Sequence, residues 1–172
     1  MNLSNRVAIV TGSGRGIGRA IALKLAEVGA TVVVNDVDEA VNGVAEEIKA
    51  TGRQSLAILA DVSSSEDVAR LVETTRATYR KIDILVNNAG IARDQLVMRM
   101  SDEDWDKVLN VNLKSVFLCS RAVLRHMIRQ RWGRIISIAS IVGIVGNQGQ
   151  ANYASAKAGI IGFTRTIAKE VA

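Results

Sequence analysis

The sequence predicts an α/β fold, a doubly wound parallel sheet with helices on both faces. Short β-branched runs alternate with longer helix-period segments along all 172 residues. Most of those runs are continuously apolar, the pattern of strands covered on both faces. The first run, Val7-Ala8-Ile9-Val10, ends in glycines at 12, 14, 16 and 18, and a helical pattern follows. Strand, glycine-rich turn, helix is the opening of an α/β unit. No linker, repeat or low-complexity tract interrupts the chain, so residues 1–172 read as a single domain.

In order, strands are expected at Val7–Thr11, Thr31–Asn35, Ser55–Ala60, Ile84–Asn87 and Arg134–Ser140. Helices fit between them over about 16–28, 38–51, 65–80 and 103–130, with a last one from about 151. The first helix carries its apolar residues at Ile17, Ala20, Ile21, Leu23, Leu25 and Ala26. Gly29 and Gly52 stand where helix C-caps need a left-handed residue. Ser64 and Ser101 precede acidic first turns (Glu66, Asp67; Asp102, Glu103, Asp104), which is N-cap chemistry.

Composition excludes several classes of function. Lys and Arg are spread along the chain, the net charge is +5, and the six aromatic residues form no stacking platform, so nucleic-acid binding is disfavoured. The lone Cys119 excludes a disulfide framework and sits in an apolar run as an inert buried thiol. The lone His126, among Arg121, Arg125 and Arg129, reads as a solvated helix position. With neither residue usable and no metal-ligating cluster, no metal is expected and hydrolytic triads are disfavoured. Val7–Val10 is too short for a signal-peptide core and no run is long enough to span a membrane, so a cytoplasmic chain is expected.

The loop spacing is neither G-x-G-x-x-G nor a Walker A sequence; it fits Thr-Gly-x-x-x-Gly-x-Gly, with Thr11, Gly12, Gly16 and Gly18. A tight connection is the plain reading of such a loop. A phosphate site is the other, with glycine admitting the polyanion to the main chain and the helix N-terminus supplying free N–H groups. In a parallel sheet the ligand lies across the carboxyl ends of the strands. Those ends carry Asp36, eighteen residues beyond Gly18, then Asp61-Val62, Asn87-Asn88-Ala89-Gly90, and Ser140. Each has an ordinary reading as a cap, turn or solvated charge. Their placement on one edge favours a dinucleotide, with Asp36 accepting from an adenosine ribose.

Tyr153 and Lys157 are four apart and share a helix face. Either the helix merely exposes both, or the ammonium favours the phenolate and tunes the tyrosine to exchange a proton with an alcohol or carbonyl oxygen. Ser140 can supply a hydrogen bond to the same oxygen if Ile141–Gln150 returns the chain toward Tyr153.

Thr11-Gly12-Ser13-Gly14-Arg15-Gly16-Ile17-Gly18, Asn87-Asn88-Ala89-Gly90, Asn112, Ser140 and Tyr153-Ala154-Ser155-Ala156-Lys157 together resemble the short-chain dehydrogenase/reductase family, whose fold is Rossmann-like. Asn88–Asp94, Met98-Arg99-Met100 and Gly149–Tyr153 are similar to the 3-oxoacyl-[acyl-carrier-protein] reductases of bacterial fatty-acid synthesis. The resemblance implies a homo-oligomeric NAD(P)-dependent oxidoreductase acting on a 3-oxoacyl thioester. It implies that Tyr153 protonates the substrate oxygen, Ser140 polarises the carbonyl, Lys157 holds the nicotinamide ribose, and Asn112 holds a water. It also implies that Gly12, Ser13, Arg15, Gly16, Ile17 and Gly18 line the pyrophosphate and ribose. Asp61 and Val62 then flank the adenine, Asn88, Ala89 and Gly90 pack along the cofactor, and Arg131 meets the acidic carrier protein. Arg15 would attract the 2′-phosphate of NADP, but Asp36 would repel it, so NAD(H) is favoured over NADP(H).

Family members continue past the Tyr/Lys helix into further strands and a Pro-Gly turn, whereas this sequence has no proline and reaches only Ala172. The fold is therefore expected to be truncated after that helix, with strand five as a sheet edge and Ile160, Ile161, Phe163 and Ile167 bare. Three functions stay open on this reading: a 3-oxoacyl or other short-chain carbonyl reductase, a non-catalytic dinucleotide-binding fragment, and a fragment completed by assembly.

Overall fold

A computed structural model describes residues 2–172. Five parallel strands, β1 (Val7–Thr11), β2 (Thr31–Asp36), β3 (Ser55–Leu59), β4 (Ile84–Asn87) and β5 (Arg134–Ser137), form one sheet in the order β3-β2-β1-β4-β5. The helices are α1 (Gly16–Glu27), α2 (Ala40–Ala50), α3 (Ser65–Tyr79), α4 (Asp102–Leu109), α5 (Ser115–Arg129), α6 (Val142–Val145) and α7 (Ala151–Glu170). Among the described residues no helix is long and apolar enough to cross a membrane.

Alternation along the central strands builds two cores. Ala8, Val10, Val32, Val34 and Val86 pack with Ala22, Ala26, Val41, Val44 and Ile48 of α1 and α2. Ile9, Val33, Ile58 and Leu85 face the other way, onto Val68, Leu71 and Val72 of α3 and Leu118, Cys119, Val123 and Met127 of α5. The chain leaves β1 for β2 on one side and returns past it to β4 on the other. The crevice between β1 and β4 is thus the switch point where such sheets receive ligands.

The caps form as expected. Ser64 Oγ accepts the Asp67 amide at 3.3 Å and Ser101 Oγ the Asp104 amide at 3.1 Å. Gly29 and Gly52 take φ +105° and +76° after α1 and α2.

Several expectations are corrected. The stretch read as one helix over about 103–130 is α4, a π-helical turn (Asn110–Lys114) and α5, because the wider turn swings Asn112 fully inward. β5 stops at Ser137, so Ser140 lies three residues past the strand, as the turn into α6. β5 is not covered on both faces: its residues alternate exposed and half-buried, and β4 is its only neighbour among the described residues. Ile160 is buried, because α7 packs inward there, whereas Ile161, Phe163 and Ile167 are half-buried. Phe163 meets Phe117 edge-on at 6.3 Å. His126 is half-buried rather than solvated; burial, with Arg76, Arg129 and Arg125 nearby, holds its imidazole below the ordinary value.

At the opposite end of the strands from the crevice, Asp83 pins the sheet. Its buried carboxylate accepts from Arg6 Nη1 at 3.0 Å and from the Val7 amide at 2.9 Å, with Lys81 at 3.4 Å. Asp83→Ala strands a half-buried guanidinium and a buried amide. It is expected to lower unfolding stability by about 2–4 kcal/mol in urea denaturation, while dinucleotide affinity of the folded protein stays unchanged.

Candidate cofactor and active site

The crevice is shaped by the loops after β1 and β4, which are hydrogen-bonded to each other. Thr11 Oγ1 donates to the Val86 oxygen (3.3 Å) and accepts the amides of Asn88 (3.0 Å) and Ala89 (3.1 Å). Asn88 Nδ2 donates back to the oxygens of Thr11 and Gly12, both at 2.9 Å. A Cβ on Gly12 would lie 2.7 Å from Ala89 Cα, and one on Gly18 would lie 2.2 Å from the Gly12 oxygen. Gly16, at φ +55°, opens α1 toward solvent with nothing within 4 Å of its Cβ position. The N-terminus of α1 has no side-chain cap and no acid in its first turn. Its free N–H groups, opposite an open glycine turn, fit the phosphates of a dinucleotide.

Asp36, the last residue of β2, reaches this loop. Oδ2 accepts the Gly14 amide at 2.9 Å, and Oδ1 accepts the amides of Val37 (2.8 Å) and Asp38 (3.4 Å). Arg15, Gly16 and Ile17 are exposed at the same turn, and Gly90 is exposed beside half-buried Asn88 and Ala89.

Two residues expected along the cofactor have buried side chains. Ser13 is fully buried, its Oγ donating to the Val10 oxygen at 2.9 Å and accepting the Asn35 amide at 3.0 Å. Its side chain therefore ties the loop to β1 and β2. Val62 turns its side chain into the core, leaving only its backbone toward the crevice, whereas Asp61 is exposed and its Oδ1 accepts from Ser63 N and Oγ.

On the other side of the crevice α6 packs on α7: a Cβ on Gly143 would lie 2.7 Å from the Ala158 amide and 2.9 Å from Lys157 Cβ. Ser140, whose Oγ accepts the Val142 amide at 3.2 Å, is thereby carried to the Lys157 turn of α7. Lys157 is buried and its Nζ donates to the Ile138 oxygen at 2.6 Å while lying 5.5 Å from the centre of the half-buried Tyr153 ring. Burial pulls the Lys157 ammonium below its ordinary value. Asn112, fully buried in the π-turn, accepts the Ile91 amide (2.8 Å) and donates to the Ile91 oxygen (2.9 Å), so its amide is held by the loop after β4. Cys119 is buried and its thiol is pushed up to about 12, which keeps it inert.

A model of the short chain dehydrogenase family matches residues 6–172. The chain belongs to the short chain dehydrogenase family. The 3-oxoacyl-[acyl-carrier-protein] reductase of Synechocystis sp. is 51% identical over 172 residues, 99% of this chain and 70% of the relative. Reductases of that name from Staphylococcus epidermidis (50% over 171 residues, 98% and 70%) and Pseudomonas aeruginosa (49% over 172 residues, 99% and 70%) are similar. Membership in the short chain dehydrogenase family makes the chain an NAD(P)-dependent oxidoreductase.

Two parts of the site were missed by sequence reasoning. One is the Ile138 oxygen that holds Lys157; a main-chain group has no residue-type signal. The other is a tie between the loop after β4 and the turn before α7, where Gln95 N donates to the Gly149 oxygen (2.8 Å) and Gln150 Nε2 to Asp94 Oδ2 (2.9 Å).

The lowered Lys157 value gives a pH signature. The folded state disfavours the protonated amine, so the penalty is complete below the folded value and vanishes above the ordinary 10.5. Wild-type stability relative to Lys157→Met is therefore expected to rise as pH climbs toward 10.5, checked by urea denaturation of both proteins from about pH 8 to about pH 10.

Proposed function

We propose that this short chain dehydrogenase acts as one dinucleotide-binding domain that reduces the ketone of a 3-oxoacyl thioester, using NAD(H). The observation that supports the reading is the pairing of Lys157 with Tyr153 on α7, against which packs Gly143 of α6, the residue whose amide donates to the Ser140 oxygen. The relatives' names supply the substrate class.

When bound, the nicotinamide supplies hydride to the ketone carbon. Tyr153 gives its phenolic proton to the ketone oxygen, yielding a 3-hydroxyacyl thioester, and Ser140 Oγ hydrogen-bonds the same oxygen as negative charge develops on it. The Lys157 ammonium, fixed by the Ile138 oxygen, stabilises the phenolate left on Tyr153 and lies where it can reach a ribose hydroxyl. Asn112 holds the loop after β4 at Ile91 and offers its remaining acceptor capacity to a water. Gly12, Gly16, Gly18, Arg15 and Ile17 form the phosphate and ribose cradle, with Asp61 and the Val62 backbone at the adenine and Asn88, Ala89 and Gly90 along the cofactor.

The chemistry of the rim suits an acyl chain. Val97, Met98, Ile144 and Val145, exposed by 74, 84, 70 and 71%, stand on the two segments that the Gln95–Gly149 and Gln150–Asp94 bonds tie together. The thioester is presented on acyl carrier protein, with exposed Arg131, held at φ +52° beyond the end of α5, as the contact for its acidic surface.

The test is loss of reduced-nicotinamide absorbance with a 3-oxoacyl thioester. Tyr153→Phe is expected to lower kcat by about 10²–10⁴-fold with cofactor affinity retained; a Phe variant as active as wild type removes Tyr153 from the mechanism. Asp36 supports the NAD(H) preference, because its carboxylate is held by amides beside the glycine loop. Asp36→Ala is expected to lower the NADH-over-NADPH ratio of kcat/KM by about tenfold. An unchanged ratio would assign discrimination to Arg15 or elsewhere.

A further inference from the structure

Asn152 has no part in the chemistry above, yet it is fully buried one residue before Tyr153. Its Nδ2 donates to the oxygens of Arg93 at 3.0 Å and Asp104 at 3.4 Å, and its Oδ1 accepts the Tyr153 amide at 2.7 Å. Two carbonyls on one side and an N–H on the other fix the orientation of the amide. The Tyr153 amide belongs to the first turn of α7, where no i−4 carbonyl is available and the N-cap residue Gln150 makes no side-chain cap. One buried side chain therefore joins the loop after β4, helix α4 and the turn that carries the phenol. The residues that follow Arg93 in that loop, Asp94 and Gln95, are themselves bound to Gln150 and Gly149.

We propose that Asn152 is a positioning residue: it sets the Tyr153 backbone against the loop after β4 and so fixes where the phenol stands in the crevice. The proposal rests on the reading of Tyr153 as proton donor. Asn152 touches no reacting atom; truncating it frees the Tyr153 turn from α4 and from the loop. Small displacements of a reacting group cost large factors in rate, so Asn152→Ala is expected to lower kcat by about 10–100-fold while dinucleotide Kd and substrate KM stay within about twofold. The cradle that binds the dinucleotide is built from other residues, which is why its affinity is spared.

The chain has only two tyrosines, Tyr79 and Tyr153, so Tyr79→Phe leaves position 153 as the single site for fluorotyrosine. In that background the fluorine resonance is expected to move in Asn152→Ala and to move less in Asn152→Ser, which retains one donor. Asn152→Ser also covers the case in which Asn152→Ala does not fold. An unmoved resonance in a folded variant overturns the proposal, as does a kcat equal to that of wild type. If the wild type itself reduces no 3-oxoacyl thioester, the functional reading fails, and the resonance still decides the role of Asn152.

Discussion

The contact on which the site depends is the backbone-to-backbone approach of the loops after β1 and β4. Thr11 Oγ1 and Asn88 Nδ2 supply the bonds, and the missing side chains at Gly12 and Gly18 supply the room. Any side chain at 18 would meet the Gly12 oxygen at a distance no Cβ tolerates, and relief requires the N-terminus of α1 to move. That helix end is the proposed phosphate cradle, and the loop after β4 runs on to Ile91 and the Asn112 clamp. A shift at one contact is thus felt at both ends of a bound dinucleotide. Glycine at 12 and 18 is demanded by the protein's own packing, and at 16 by the left-handed φ of an open turn.

The two halves of the crevice are built differently. The side that carries the glycine loop rests on β1, β2 and β3, with a core on each face, β1 buried throughout and β2 buried from Val32 to Asn35. The other side rests on β5, α6 and α7, and polar links join it to the rest beside the apolar contacts of Ile135, Ile138, Ile160 and Phe163. The Ile138 amide donates to the Asn87 oxygen, Asn87 Nδ2 to the hydroxyls of Ser120 and Ser137, and Asn152 to Arg93 and Asp104. β5 is half-exposed, and Ile136 is 48% exposed. Strands with few buried apolar residues open first, so β5 is the strand of the sheet expected to have the lowest local stability.

This difference also explains how far the sequence could be read. The central strands were legible because burial on both faces leaves an unbroken apolar run, and helix ends were legible where Ser64, Ser101, Gly29 and Gly52 act through their own chemistry. The π-turn at Asn112 was not, since one extra residue in a turn leaves the apolar period of α4 and α5 nearly intact. Ser140 was placed on a strand because Ile135, Ile136 and Ile138 continue the β pattern; the chain nevertheless leaves the sheet after its last bond to Asn87. Ser13 and Val62 belong to cofactor-loop positions, but the direction of a side chain is set by neighbours distant in sequence, here Asn35 for Ser13 and the α3 core for Val62. The Tyr153–Lys157 spacing was legible because four residues on a helix is a local property. The Ile138 oxygen that holds the ammonium was not, because a backbone carbonyl carries no residue-type signal.

The burial of Lys157 is the feature that links this side of the crevice to the proposed chemistry. An ammonium taken out of water destabilises the fold, and the single Ile138 carbonyl offsets only part of that. The compensation is greatest when a negative charge forms nearby, and the group 5.5 Å away is the Tyr153 ring, which in the proposed reaction becomes a phenolate. The buried ammonium is poorly solvated, and in the proposed reaction the phenolate left on Tyr153 would complement it. On the proposed mechanism the interaction strengthens along the reaction and not before it, which is the condition for lowering a barrier rather than merely tightening binding. A lysine left in solvent at the same spacing would be screened by water in both states and would contribute little of this difference.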